Sequence, residues 1–167
     1  SQAQVSRPDI LFIAAESLRG DMLNPQDMPE LWRYGEDHQA LISQHHFSGG
    51  HQTWEGMFSL VYALNAYHRA MFADQHKPPY TLQLLKTLGY RTVALCASPI
   101  RFPHHEVHIG FDQIIRARAQ DGDKADQQIT ERAIELLPEQ RALPQSSRQP
   151  LFLFLFYNST HYPYFFP

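Results

Sequence analysis

Apolar positions along the chain fall into short runs that end abruptly in polar chemistry. Ile10 to Ala15 is an uninterrupted apolar run of strand length, preceded by Pro8. The lack of polar alternation predicts a central strand buried on both faces. Ala40 to Phe47 predicts a second strand, Tyr90 to Cys96 a third, and Phe111 to Ile115 a short further one. Leu151 to Tyr157 predicts another buried strand.

Between these runs the apolar spacing turns helical. Met28 to Tyr34 predicts a helix with Pro29 in its first turn, Asn24 or Asp27 as a cap and Gly35 as a stop. Trp54, Met57, Phe58, Leu60, Val61 and Leu64 mark a second helix beginning after Thr53. Leu82, Leu84, Leu85 and Leu88 mark a third, ending at Gly89. Asp123 to Leu137 predicts a fourth, with Ile129, Ala133, Ile134 and Leu137 on its apolar face and Pro138 as its end. Alternating strands and helices predict an α/β fold with a mostly parallel sheet and right-handed crossovers.

In open α/β sheets the ligand crevice lies beyond the carboxyl ends of the strands. Glu16, Ser17, Arg19 and Asp21 follow the first run at that place. A carboxylate there is costly without a partner. Glu16 is therefore either a metal ligand, or a helix cap or the partner of Arg19. The second predicted strand runs into Ser48-Gly49-Gly50-His51-Gln52-Thr53. Two glycines permit positive φ and close approach to a ligand. Thr53 at the helix start is either an ordinary N-cap or a hydroxyl made nucleophilic by the helix dipole and a metal at Glu16.

The loop from Ala97 to Gly110 should overhang the same crevice. It carries Arg101, whose fork suits phosphate or sulfate oxygens. His104, His105 and His108 read as a solvated loop with at most one functional histidine, since adjacent side chains diverge. Asn158-Ser-Thr-His161 places polar chemistry at the end of the last strand, so His161 converges on the edge that holds Glu16 and Thr53.

Composition changes this picture little. The 167 residues suffice for one domain with a core, and 43% hydrophobic with 19% charged residues is ordinary for a globular protein. A formal charge of -3 without a basic stripe argues against a dedicated nucleic-acid binder. The single cysteine, Cys96, precludes an internal disulfide and is expected inside its strand. No run of about 18 apolar residues is present to span a membrane.

The strand ending in Glu16-Ser17, the Ser48-Gly-Gly-x-x-Thr53 helix start and the strand ending near His161-Tyr-Pro-Tyr together resemble the alkaline phosphatase/sulfatase superfamily. The nearer likeness is to its membrane-anchored branch of lipoteichoic acid synthases and phosphoethanolamine transferases. The likeness runs from about Pro8 to Pro167 and implies a parallel sheet with helices on both faces. It implies that Glu16 is a ligand of a divalent metal (Zn, Mn, Mg or Ca) and that Thr53 is both a metal ligand and the nucleophile. Arg101 and His161 would bind the substrate anion. Dedicated sulfatases use a cysteine matured to formylglycine in a Cys-x-Pro-x-Arg setting, which this sequence lacks, so a phosphate ester is the expected substrate.

The family's later Asp-His-Gly ligands do not occur in the 167 residues. The chain is therefore expected to be the amino-terminal portion of a sulfatase-like domain, with little activity alone. Its partner would be an anionic ester or lipid head group, at the periplasmic or extracellular face of a membrane to which the parent protein is anchored. The alternatives are an inactive sulfatase-like regulator that binds lipid head groups or a protein, and a plain interaction domain.

Overall fold

The computed structural model describes residues 7–43, 45–74, 77–97, 110–119, 121–144 and 148–161. Its strands are β1 (Ile10–Ala15), β2 (Arg91–Cys96), β3 (Gln113–Arg116) and β4 (Leu151–Tyr157). Its helices are α1 (Pro29–Asp37), α2 (Thr53–Tyr62), α3 (Arg69–Asp74), α4 (Tyr80–Thr87) and α5 (Gly122–Ala142). The four strands form one sheet in the order β1-β4-β2-β3, and every pairing is parallel. The fold is thus the α/β class that the alternation predicts.

Side chains of β2 and β4 alternate between two cores, as the strand period requires. On one face Ala94, Cys96, Phe154 and Phe156 pack with Met57, Phe58, Val61 and Tyr62 of α2 and with Leu82 of α4. On the other face Val93, Leu95, Leu151, Leu153 and Leu155 pack on Ile129, Ala133 and Leu136 of α5. Helices therefore cover both faces of these two strands. Cys96 lies inside, 1% exposed. Burial pushes its thiol up to about 12, and the charge of Arg116 only partly opposes this.

Several expectations are corrected. Ile10–Ala15 is a strand, but not a central, doubly buried one. Among the described residues β1 pairs only with β4, and Leu11 and Ile13 are 50% and 57% exposed. An apolar run sets strand propensity, while burial depends on what packs on each side. Residues 40–43 and 45–47 form no strand; Leu41 and Phe47 stand exposed, with no neighbouring strand among the described residues to pair with.

Helix ends differ as well. Met28, not Asn24 or Asp27, is the N-cap of α1. The Asn24 side chain instead accepts the backbone N–H groups of Gln26 and Asp27, a local turn that competes with capping. Gly35 does not stop α1, which continues to Asp37. Pro138 does not end α5, which runs on to Ala142. The ring lies on an exposed face, where water can serve the carbonyl left without a donor. The last turn is tied down by buried Gln140, which donates to the Gln149 carbonyl at 2.5 Å and accepts from Arg91 at 3.4 Å. The buried face of α5 uses Leu136, while Ile134 is 65% exposed.

Candidate functional site

A pocket of about 310 Å³ opens where the carboxyl end of β1 meets the amino terminus of α2. Glu16, His51 and Thr53 give it polar walls, and Leu18, Leu60 and Phe156 apolar ones. This is the strand-end crevice expected of an open α/β sheet.

The centre of the pocket is one hydrogen bond. Thr53 Oγ1 donates to Glu16 Oε1 at 2.9 Å, across 37 residues of sequence and partly out of solvent. Two expected alternatives fall with it. Arg19 does not pair with Glu16; its Nε and Nη2 donate to Asp21 at 3.0 and 2.6 Å. That contact holds the Asp21 carboxyl below its usual range. Nor is Thr53 the N-cap of α2. That position belongs to Gln52, which makes no side-chain cap, and Thr53 is the first helical residue with its hydroxyl turned to Glu16.

Glu16 is fixed through its backbone. Its N–H donates to the Tyr157 carbonyl at 2.9 Å, extending the β1–β4 ladder by one residue. Its carbonyl accepts the Thr160 hydroxyl. Ser17 then turns the chain at φ +57°, a left-handed conformation that costs a non-glycine residue and marks a held position. Thr53 is fixed by the helix. The first helical bond runs from the Gly56 N–H to the Gln52 carbonyl, so the N–H groups of residues 53–55 have no partner within α2.

The two glycines before α2 act differently from expectation. Neither has a positive φ. Their value is the missing side chain. A Cβ on Gly49 would stand 2.0 Å from Ser59 Oγ, and one on Gly50 would stand 2.2 Å from Glu55 Cβ. The loop can therefore lie directly against α2. Ser48 Oγ braces it by donating to the Gly50 carbonyl at 2.6 Å. Glu55 reaches back to accept the His51 N–H at 3.2 Å, and its carboxylate lies 3.5 Å from His51 Nδ1. Sequence reading missed this Glu55–His51 contact. Its signal was the acidic residue in the first turn of a helix, favoured by the dipole.

The other expected residues are less central. His161 is exposed on the turn after β4, where its N–H donates to the Asn158 carbonyl at 3.0 Å. It is close in sequence to Thr160 but does not line the pocket. Arg101, His104, His105 and His108 lie outside the described residues.

Fold and pocket define a parallel α/β protein whose strand-end site sets a helix-borne hydroxyl against a carboxylate. A model of the sulfatase family matches residues 8–167, and the chain belongs to that family, within the alkaline phosphatase/sulfatase superfamily. No curated protein matches it significantly.

Domains of this family generally use a divalent metal ion. Glu16 Oε1 and Thr53 Oγ1 are close enough to serve one ion. Among the described residues, however, no group of three His, Cys, Asp or Glu could hold one. A carboxylate and a hydroxyl do not fill the shell of Zn²⁺ or of a hard divalent cation. The described residues alone do not fit a complete metal centre.

Proposed function

We propose that the protein is a hydrolase or transferase of phosphate esters, with Thr53 as its nucleophile. The observation that carries this reading is the 2.9 Å bond between the Thr53 hydroxyl and the Glu16 carboxylate at the first turn of α2. Thr53 Oγ1 attacks phosphorus in line and forms a phosphothreonine ester; its proton passes to Glu16, the P–O bond to the substrate breaks, and the departing alkoxide takes a proton from solvent. Free N–H groups at the start of α2 favour the negative charge on the non-bridging oxygens. Water or an acceptor alcohol then attacks phosphorus and gives up its proton to solvent, and Thr53 leaves and recovers the proton that Glu16 holds.

A threonine at position 53 supports phosphate over sulfate, since the cysteine that dedicated sulfatases mature is lacking there. The one cysteine is buried in β2. Arg101 and His161 belong to the proposal as groups that hold the substrate anion. Metal dependence belongs to it too, with Glu16 and Thr53 as two ligands of a centre that needs others. The likeness to the membrane-anchored branch supports work on an anionic ester or lipid head group at a periplasmic or extracellular membrane face. No described helix is long and apolar enough to cross a membrane.

The test is incubation of the full-length parent protein with bis(p-nitrophenyl) phosphate or p-nitrophenyl sulfate plus Mn²⁺, followed by acid quench and peptide mass spectrometry. A p-nitrophenylphosphoryl group on Thr53, with release of one p-nitrophenolate, is expected from the phosphate diester, and no adduct from the sulfate. Thr53→Ala should abolish the adduct and lower turnover by roughly 10⁴-fold, the scale of losing a nucleophile. Turnover retained in Thr53→Ala would remove Thr53 from the chemistry.

A further inference from the structure

We infer that Asp126 on α5 is a positioning residue of the Glu16–Thr53 site, acting through the turn that follows β4. This rests on the reading of Thr53 as the reacting group. Asp126 sits in the second turn of α5, on the far face of the sheet from α2. Its carboxylate accepts two successive backbone N–H groups, Asn158 on Oδ1 at 2.8 Å and Ser159 on Oδ2 at 2.9 Å. Hydrogen bonds from amides to an ionised carboxylate are stronger than neutral ones. Both oxygens are used, so the turn is fixed in orientation as well as place.

The next residue in that turn is Thr160, whose hydroxyl donates to the Glu16 carbonyl. Glu16 in turn receives the Thr53 hydroxyl. A path of three contacts thus runs from α5, around the end of β4, to the nucleophile on α2. A second tie strengthens the α5 end. Thr130, one turn beyond Asp126, donates to the Asp126 carbonyl at 2.8 Å and lies 2.8 Å from the Tyr157 hydroxyl. The Tyr157 carbonyl accepts the Glu16 N–H. Both backbone groups of Glu16 are therefore held by residues that α5 anchors.

This arrangement makes chemical sense because Glu16 lies just past the end of β1, at the edge of the sheet. Only β4 orders β1 within the described sheet, and Ser17 beyond Glu16 is in a left-handed conformation. A carboxylate that must meet a hydroxyl in one orientation needs support from elsewhere. Displacements of about 1 Å in such pairs are enough to cost up to about 10²-fold in rate.

The experiment compares Asp126→Asn, Thr160→Val and the double variant. Three readouts are taken: exchange of the Asn158 and Ser159 amides, the NMR position of the Thr53 methyl group, and kcat and KM for bis(p-nitrophenyl) phosphate. Asp126→Asn should speed both amides. Asp126→Asn and Thr160→Val should each displace the Thr53 methyl signal and lower kcat about tenfold with KM within about twofold. The double variant should fall no further than the worse single one, since both act on one path. Faster amide exchange with an unmoved Thr53 signal would overturn the inference and reduce Asp126 to a loop closure. Unchanged exchange, or additive losses, would overturn it too. Asp126→Glu, which keeps the charge but shifts the carboxylate, stands in where Asp126→Asn fails to fold. If Thr53→Ala retains turnover, the reading of function falls, and the Thr53 methyl signal still decides the role of Asp126.

Discussion

β1 and β4 are neighbours in register, from Ile10 opposite Phe152 to Ala15 opposite Tyr157, and both are almost wholly apolar. Yet Leu153 is fully buried while Ile13 is 57% exposed. The difference lies in what surrounds each strand. β4 has a strand on either side and helices on both faces, while β1 has one neighbouring strand among the described residues. The buried strand carries no pocket carboxylate, and the exposed one leads directly into Glu16. Apolar sequence specifies a strand; its neighbours decide whether that strand is core or edge. The site sits on the edge strand and takes its order from the central one.

The largest test of this contrast is truncation on each strand. Leu153→Ala should destabilise the protein by ~2–5 kcal/mol in urea unfolding, the usual cost of emptying a core leucine site. Ile13→Ala, on the neighbouring strand, should stay within about 1 kcal/mol, as exposed positions do. Equal losses at the two positions would mean that β1 is covered in solution.

A smaller effect probes the other flank of the sheet, at the start of β2. Asp112 Oδ2 accepts the Thr92 N–H and hydroxyl at 2.8 and 2.9 Å, and Lys86 lies 2.9 Å from Oδ1. Burial pushes the Asp112 pKa up, but the bonds from Lys86 and Thr92 outweigh it and leave the carboxyl below its ordinary 3.8. A depressed native pKa stabilises the fold above the ordinary value, and the gain is lost as pH falls through the native one. The wild type should therefore lead Asp112→Asn at neutral pH and lose that lead below about pH 4 in acid unfolding. A lead that persists at pH 2 would assign Asp112 a role independent of its charge.

Much of the architecture was legible because strand and helix periods are local. The first apolar run, the strand before Cys96, the last strand and the helix after Thr53 all read correctly from neighbours in sequence. The place of Glu16 followed from the rule about strand ends; Thr53 meets it from the first turn of α2, although the strand expected to lead there is not one. What failed was non-local. The rank of β1 in the sheet depends on partners no local pattern names. Ala40 to Phe47 has strand-like residues, and no strand lies beside it among the described residues. Pro138 continues a helix because Gln140, two residues later, is buried and bonded. Asp126 looked like one more polar residue on an amphipathic helix. Its role depends on two backbone amides more than 30 residues away, and main-chain donors leave no mark in side-chain sequence.

The burial of Cys96 has a practical consequence. Thiolate, not thiol, attacks maleimides and iodoacetamide, and a sulfur inside a strand with its pKa at about 12 offers almost none at neutral pH. With no second cysteine among its 167 residues, the folded chain is expected to be silent to such reagents. A cysteine engineered at any exposed position would be tagged alone, so a fluorophore or spin label can be set beside the pocket without first removing the natural thiol. The same silence makes Cys96 a clock, because its alkylation in the unmodified protein counts only the openings that bring β2 into water.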